Sequence, residues 1–247
     1  MFFDRARVLK KYDVSYFRCP SCGFIQTEDP YWLEEAYAHS ITRSDIGYVQ
    51  RNIDNARLVK ACLALFFPKG GRFVDQGGGY GMLVRIMRDL GFDFYRRDKY
   101  CENLFAETFE ADPAQAYDLT TCFEVFEHLP DPMPEIEAML RQAPSLLFST
   151  QLIPETPPKI ADWWYYSPHH GQHLSFYALD SLRHIARRHD LHLCSNGTHH
   201  LLTPRRIWNP LFRLACRKRF YVPFDLLVRR LSLHAADYEK ILSLPPL

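Results

Sequence analysis

The sequence lacks the features of a membrane-spanning or exported protein. Its longest uninterrupted apolar run, Ala61–Phe67, is far shorter than the roughly 18 residues that a bilayer crossing requires. The first seven residues lack the ordered charged, apolar and small-residue regions of a signal peptide. We therefore expect a cytoplasmic protein without a transmembrane segment, whose seven cysteines are mostly reduced.

The chain also lacks an overall excess of charge. Its formal net charge is +1, which gives no indication of a nucleic-acid partner. Only residues 199–247 are locally basic, with nine Lys or Arg against three Asp or Glu. A solvated helix face is the usual origin of such an excess, and we expect this tail to pack on the main domain. Contact with a second copy, a membrane or a polyanion stays open.

No internal repeat or low-complexity tract is present, and the middle of the chain alternates between two periodicities. Short apolar runs typical of strands alternate with segments whose apolar residues recur at helical spacing. The predicted strands are 72–75, 92–97, 117–123, 145–150 and 191–195, and the predicted helices are 31–39, 48–67, 82–90, 102–109, 132–142 and 179–189. This order predicts an α/β domain with a mainly parallel sheet, in which ligands bind beyond the carboxyl ends of the strands.

A glycine-rich turn follows the first of these strands. Residues 75–81 have the form D-x-G-x-G-x-G between a strand and a helix. Glycines let the backbone turn sharply and approach a ligand closely. The nicotinamide fingerprint G-x-G-x-x-G fails from Gly77, because the sixth position is Met82. Asp98, at the end of the next strand, is placed to accept hydrogen bonds from both hydroxyls of a ribose.

These features resemble the class I S-adenosylmethionine-dependent methyltransferases over residues 70–195. The resemblance implies a Rossmann-like sheet of seven strands with helices on both faces, and S-adenosylmethionine as the cofactor. In that family Asp75 would sit behind the amino group of the cofactor, the glycines would pass under its methionine part, and Asp98 would bind its ribose. The residues that the resemblance assigns to the cofactor are Asp75, Gly77, Gly79, Gly81, Asp98, Glu110 and Phe123.

The stretch FEVFEHLPDP, residues 123–132, places three ionisable side chains at the mouth of a predicted strand. A histidine there can serve as the base that removes the proton from the hydroxyl group of a methyl acceptor. Two carboxylates and an imidazole can also hold a divalent cation. A third interpretation is structural, in which the pair packs the loop and Glu127 accepts hydrogen bonds from backbone amides near the following helix. His128, His173 and Glu127 are the candidate catalytic residues.

The pattern E-x-x-E-H also resembles two methyltransferase groups that bind a divalent cation there. One group methylates small RNAs at the ribose 2′ oxygen, and the other methylates ubiquinone precursors. In the RNA enzymes a further histidine completes the site, and its match here is His173. The implied metal ligands are Glu124, Glu127, His128 and His173. Nothing else in the sequence indicates RNA recognition, so we expect metal-free chemistry.

A cysteine pair, Cys19 and Cys22, has the spacing of half a zinc ribbon or knuckle. No second pair lies at the required distance, since the next cysteine is Cys62. We expect that the first pair either lies upstream or has been lost. N-terminal zinc modules occur in several sugar-modifying and natural-product methyltransferases, which this segment resembles.

Three parts are therefore expected. They are an accessory segment at residues 1–45 with the cysteine knuckle, a methyltransferase domain at 46–198, and a helical tail at 199–247. The predicted activity is methyl transfer to a small molecule, favoured at oxygen by the available histidines and carboxylates. A long aromatic segment, residues 154–175, is expected to overhang the acceptor. The alternatives are an RNA 2′-O-methyltransferase and a non-catalytic scaffold that retains the cofactor fold.

Overall fold

The computed structural model describes residues 1–38 and 46–244. The strands are β1 (Phe2–Val8), β2 (Tyr12–Arg18), β3 (Ile25–Thr27), β4 (Arg72–Gln76), β5 (Asp93–Arg97), β6 (Leu119–Cys122), β7 (Leu146–Ser149), β8 (Ser175–Phe176), β9 (His192–Ser195) and β10 (His199–Thr203). The helices are α1 (Leu33–Ala36), α2 (Tyr48–Phe66), α3 (Met82–Asp89), α4 (Pro132–Gln142), α5 (Leu179–Arg188), α6 (Asn209–Ala215), α7 (Lys218–Leu227) and α8 (His234–Leu242). No helix within these ranges is both long and apolar enough to cross a bilayer.

The central sheet has the order β5-β4-β6-β7-β10-β9. Its first four strands run parallel, and β10 pairs antiparallel with both β7 and β9. Every residue of β6 and β7 is buried, as expected for parallel strands covered on both faces. The mainly parallel α/β sheet predicted from the sequence is confirmed.

The described residues give this sheet six strands, not the expected seven. Beyond β5, the described residues form one isolated parallel bridge, between Arg96 and Glu110. The expected helix at 102–109 is also not formed, and Asn103 instead folds a turn by bonding the backbone of Ala106. Only twenty-one residues, 98–118, separate β5 from β6, which is too few for a strand with crossovers on both sides.

Helices cover both faces of the sheet because successive strand residues point to opposite sides. Leu147 of β7 and Leu201 of β10 pack into the cluster formed with α2, α3 and α6. Their neighbours Phe148 and Leu202 pack into a second cluster with α4 and α5. Since β10 pairs with β7, the sheet extends past the expected domain boundary at residue 198 and includes residues 199–203.

The N-terminal strands form a smaller antiparallel sheet of order β1-β2-β3-β8. Its apolar face packs with part of the aromatic segment, and the shared cluster includes Tyr16, Trp32, Tyr166 and Phe176. Trp32 donates its indole N–H to the Gly171 carbonyl at 2.8 Å. Because β8 follows directly on His173, this second sheet fixes the place of that histidine against the central sheet. Residues 39–45, which include the end of the first predicted helix, lie outside the described ranges.

Candidate active site

A cavity of about 480 Å³ opens at the carboxyl ends of β4, β5 and β6. One side is the glycine loop after β4 and the Asp98 turn after β5. The other side is the loop after β6 and the segment that ends at His173. This is the edge at which parallel α/β sheets bind their ligands, because the loops there diverge and leave a crevice. Of the candidate residues, Asp75, Gly77, Gly79, Asp98, Phe123, Glu124, His128 and His173 line the cavity.

The glycine loop adopts backbone conformations that favour glycine. Gly77, Gly79 and Gly81 have φ values of 67°, 53° and 85°, in the left-handed region that other residues adopt with strain. A side chain on Gly77 would collide with Val125, which belongs to the loop after β6. The glycine loop is thus packed directly on the loop that carries Glu127 and His128.

Asp75 is buried at the end of β4, where its Oδ1 accepts a hydrogen bond from the Thr121 hydroxyl at 2.6 Å. Burial raises the pKa of the Asp75 carboxyl to about 7, although the Thr121 hydrogen bond favours the charged form. A cationic ligand group in the cavity would stabilise the ionised carboxylate. This is the electrostatic environment that an ammonium group requires.

The Asp98 carboxylate holds the loop that follows β5. Its Oδ2 accepts from the Gly79 amide at 2.9 Å, and its Oδ1 accepts from the Tyr100 and Cys101 amides at 2.8 and 2.9 Å. These bonds link the glycine loop to the Asp98 turn and point the carboxylate into the cavity. Carboxylate oxygens have further lone pairs with which to accept from ligand hydroxyls.

Glu110, the candidate beside the adenine, does not line the cavity. Its Oε1 accepts from Arg96 at 2.6 Å and from Asn103 at 2.7 Å. Arg96 is buried and also donates to the Gly79 carbonyl at 2.5 Å and to the Cys101 carbonyl. Glu110 therefore holds Arg96 and Asn103, and Arg96 in turn bonds the glycine loop and the Asp98 turn. The sequence did not indicate this role of Arg96, because an arginine between Tyr95 and Arg97 is usually a surface residue.

Glu127, His128 and His173 come together, with one ligand atom from each within 4.8 Å of the others. Glu127 is fully buried, and neither carboxylate oxygen has a hydrogen-bond partner among the described residues. Burial, with the nearby Glu124, raises the pKa of Glu127 to about 8. Burial, with the neighbouring His173, lowers the pKa of His128 to about 3. At neutral pH the Glu127 carboxyl and the imidazoles of His128 and His173 are therefore mostly uncharged.

Backbone carbonyls set the orientation of both histidines. His173 Nδ1 donates to the Tyr165 carbonyl at 2.7 Å, and His128 Nδ1 donates to the Gln172 carbonyl at 3.1 Å. A carbonyl only accepts, so the Nδ1 atoms carry the protons and the Nε2 atoms keep their lone pairs. The Tyr37 hydroxyl also lies 3.1 Å from His128 Nδ1. Tyr37 comes from the N-terminal segment, and no sequence signal pointed to it.

Glu124 stands apart from these three residues. It has a φ of 55°, is exposed, and accepts a hydrogen bond at Oε1 from the Ser149 hydroxyl at 2.7 Å. It lines the cavity but is not part of the cluster that brings ligand atoms within 4.8 Å. The structure therefore assembles three of the four residues that the resemblance to the RNA enzymes implies.

Cys19 and Cys22 form a turn between β2 and β3. The Cys19 amide donates to the Phe24 carbonyl at 2.8 Å, and the Gly23 amide donates to the Cys19 carbonyl at 3.0 Å. Hydrogen bonds from the backbone of Cys22 and Ser21 lower the pKa of the Cys19 thiol to about 7. Among the described residues, no further cysteine, histidine or carboxylate joins them in a metal-binding cluster.

The aromatic segment divides between the core and the cavity. Tyr166 is fully buried, and Tyr165 is buried with its hydroxyl 3.1 Å from Thr150 Oγ1. Trp164 is 76% exposed at the cavity rim, where His170 also lies. The segment thus fills the core with Tyr165 and Tyr166 and lines the cavity with Trp164 and His170.

The sheet order, the glycine loop and the carboxylates at the carboxyl ends of β4 and β5 define a class I S-adenosylmethionine-dependent methyltransferase. A family model described as "Methyltransferase domain" matches residues 48–196, and the chain belongs to that family. No curated protein matches the chain.

Solved structures of methyltransferases resemble the chain at low identity. Magnesium protoporphyrin IX methyltransferase from Synechocystis PCC 6803, solved with bound S-adenosylmethionine, is 15% identical, with 70% of this chain and 92% of that chain covered and a TM-score of 0.42. An O-methyltransferase family protein from Burkholderia thailandensis is 13% identical, with 69% and 61% covered and a TM-score of 0.47. CalO1, a methyltransferase in calicheamicin biosynthesis, is 14% identical, with 72% and 60% covered and a TM-score of 0.45. These likenesses say nothing about the acceptor of this chain.

Proposed function

We propose that this chain transfers the methyl group of S-adenosylmethionine to an oxygen atom of a small-molecule acceptor. One observation carries the proposal: a single cavity is lined both by the glycine loop with Asp75 and Asp98 and by the imidazoles of His128 and His173. Its volume of about 480 Å³ is within the usual range of small-molecule sites. The cofactor and the acceptor would thus meet in one cavity.

Transfer breaks the carbon–sulfur bond of the sulfonium and forms a carbon–oxygen bond in line with it, and the acceptor hydroxyl loses its proton. We assign the proton to Nε2 of His173, since Nδ1 is engaged with the Tyr165 carbonyl. Burial lowers the pKa of His173, so the ring is neutral before the reaction and able to accept. The imidazolium that forms would lie beside the Glu127 carboxyl. The products are S-adenosylhomocysteine and the methylated acceptor.

A divalent cation is a second candidate at the same residues. The buried Glu127 carboxylate without a partner and two histidines that donate Nδ1 to carbonyls fit the usual surroundings of metal ligands. Glu127, His128 and His173 would hold the ion, which would lower the pKa of an acceptor hydroxyl when bound. Calorimetry with Mn²⁺ and with Zn²⁺, in wild type and His173→Gln, tests this. A chelator that leaves activity unchanged would exclude a catalytic ion.

We further propose that the N-terminal segment, residues 1–45, helps to close the acceptor side. Tyr37 reaches His128, and Gln172 Nε2 donates to the Ala36 carbonyl at 2.8 Å. Residues 39–45 lie outside the described ranges. We also propose a cytoplasmic location, in which the cysteines stay reduced. A zinc ion on Cys19 and Cys22 would need further ligands from outside the described residues.

The decisive experiment has two stages. Calorimetry with S-adenosylmethionine comes first, and absence of binding at millimolar cofactor refutes the proposal. A screen of hydroxyl-bearing small molecules for S-adenosylhomocysteine release then identifies the acceptor. His173→Gln should bind the cofactor as the wild type does and release S-adenosylhomocysteine at least about 100-fold more slowly. Acceptors methylated at nitrogen or carbon, with none at oxygen, would contradict the oxygen assignment.

A further inference from the structure

The C-terminal tail, which we define as residues 218–244, exposes more apolar side chain than a surface element usually does. Leu226, Leu227 and Leu231 are 69%, 80% and 93% exposed. In α8 only Asp237 is buried, while the apolar residues around it face solvent. The exposed large apolar residues of the tail are Leu226, Leu227, Leu231, Tyr238, Ile241, Leu242 and Leu244. Exposed apolar side chains concentrated in one segment mark a surface that binds a partner or a membrane.

The tail directs two of its three acids inward. Asp225 Oδ1 accepts from the buried Lys60 of α2 at 2.6 Å. Asp237 is buried in a two-point contact with Arg88 of α3, at 2.7 and 2.9 Å, and it also pairs with Arg85. Only Glu239 is left as an exposed acid. The pairing of the acids explains how the tail is anchored and why its outer surface is not acidic.

Two of the five bases of the tail are directed outward, while Lys218 pairs with Asp54 and the cations of Arg230 and Lys240 lie over aromatic rings. Arg219 and Arg229 are exposed and have no acidic partner in the parts of the chain that the structure describes. Arg229 is two residues from both Leu227 and Leu231, so the positive charge is interleaved with the exposed leucines. Protruding leucines among arginines are the chemistry of an interfacial segment that inserts apolar side chains below anionic headgroups.

We propose that the tail docks this protein on the surface of a membrane that contains anionic lipid. A second copy of the chain fits less well, because a twofold contact would place each basic patch against its own equivalent. A peptide fits less well, because the leucines protrude and line neither the main cavity nor the smaller pocket between α4 and α5. Anionic headgroups complement the arginines, and the acyl region accepts protruding leucines without a preformed groove.

The orientation of the tail determines where the active site would face. The Leu231 carbonyl lies against Gly91, and the Arg230 guanidinium lies over the Phe92 ring at 4.4 Å. Both contacts are at the amino end of β5, whereas the cavity opens at the carboxyl ends of the strands. Docking through the tail would leave the cavity mouth on the opposite edge of the sheet, open to an acceptor from solution.

The test is co-sedimentation of the full chain with vesicles of phosphatidylcholine alone and with equimolar phosphatidylcholine and phosphatidylglycerol. We expect binding to the anionic vesicles that weakens as salt is added. The double variant Leu226→Glu, Leu227→Glu should bind at least about 10-fold more weakly. Phe2→Glu, which alters an apolar residue 57% exposed on β1, is the matched control and should bind as the wild type does. Arg229→Glu should weaken binding, whereas Arg187→Glu, on α5, should not.

Unaltered S-adenosylmethionine binding shows that each variant is folded. The proposal is overturned if the wild type does not bind anionic vesicles, or if the leucine variant binds as tightly as the Phe2 control. It is also overturned if light scattering shows a dimer that the leucine variant dissociates, because the occupant of the surface is then a second copy. Equal binding to both vesicle types would show that the arginines do not contribute and that binding does not require anionic lipid, and this would also overturn the proposal.

Discussion

The imidazole rings of His128 and His173 meet edge to face, with their centroids 4.9 Å apart and their planes at 89°. They come from loops forty-five positions apart, and each Nδ1 bonds a backbone carbonyl. The two Nε2 atoms are left with lone pairs beside the Glu127 carboxyl. This arrangement can receive a proton or hold a cation, and the predictions below separate these roles from a structural one.

His173→Gln should lower kcat for methyl transfer by roughly 10²- to 10⁴-fold, the usual contribution of a general base. The dissociation constant of S-adenosylmethionine should stay within about twofold, since His173 lies on the acceptor side of the cavity. The measurement is release of S-adenosylhomocysteine with an acceptor from the screen. His169→Gln changes an exposed histidine that does not line the cavity, and should leave kcat unchanged. Equal rates in the wild type and His173→Gln would remove the proton-accepting role.

Gly77→Ala should abolish measurable cofactor binding. The new methyl group would collide with Val125 and displace either the glycine loop or the loop of His128. Gly70→Ala is the matched control, because Gly70 has a φ of 89° and nothing within 4 Å of the added carbon. Both variants bear the same backbone strain, about 1 kcal/mol, and only Gly77→Ala bears the collision. Calorimetric titration compares them, and similar affinities in both would show that the loop does not need this close approach.

Glu127 should make the protein less stable as the pH rises. Burial raises its pKa from 4.5 to about 8, so the folded state holds the proton more tightly than the unfolded chain does. The free energy of unfolding therefore falls between pH 4.5 and about 8 as the buried carboxylate is forced to ionise. The glutamine of Glu127→Gln stays neutral at every pH. The free energy of unfolding of this variant should therefore rise by a few kcal/mol relative to that of the wild type across that window.

Urea unfolding of the wild type and Glu127→Gln at a series of pH values gives this difference directly. His128 has the opposite effect, because its lowered pKa makes stability rise with pH between about 3 and 6.5. That contribution is present in both proteins and cancels when they are compared. Parallel pH profiles would mean that Glu127 is ionised in the folded protein, for instance because an ion is bound.

Asp237→Ala should destabilise the protein by about 3 kcal/mol, because it leaves Nε and Nη2 of the buried Arg88 guanidinium without an acceptor, while Asp93 still binds Nη1. The Asp237 side chain is 4% exposed and that of Arg88 is 7% exposed. Asp180→Ala removes a pair with Arg183 that is largely exposed, and should cost less than about 1 kcal/mol. Urea unfolding measures both, and hydrogen exchange should show α8 losing protection first in Asp237→Ala. Equal losses of unfolding free energy in Asp237→Ala and Asp180→Ala would show that the buried pair does not anchor the tail.

Much of the central sheet was predictable from the sequence because its signals are local. The apolar run at 145–150 and the helical spacing at 82–90 correspond to β7 and α3. The glycine loop was predictable because its positive φ angles restrict the residue type. The expected helix at 102–109 was wrong because Asn103 and Asp98 bond nearby amides, and such side chains compete with helical hydrogen bonds.

The site could be predicted only in part. The motif at 123–132 gave Glu127 and His128, and a resemblance gave His173 as their partner. Nothing in the local sequence separates Glu124, which is exposed, from Glu127, which is buried. Tyr37 and Arg96 were missed because their roles depend on contacts with distant parts of the chain.

The sequence by itself determined the order of strands and helices, the place of the glycine turn, and the acidic residues at the strand ends. These follow from periodicity and backbone preference, which act over a few neighbouring residues. Only the tertiary structure decided that Glu127 is buried without a partner between two histidines, and that the tail turns its acids inward and its leucines outward. Burial and ion pairing depend on which segments pack together, and that is settled by the whole fold.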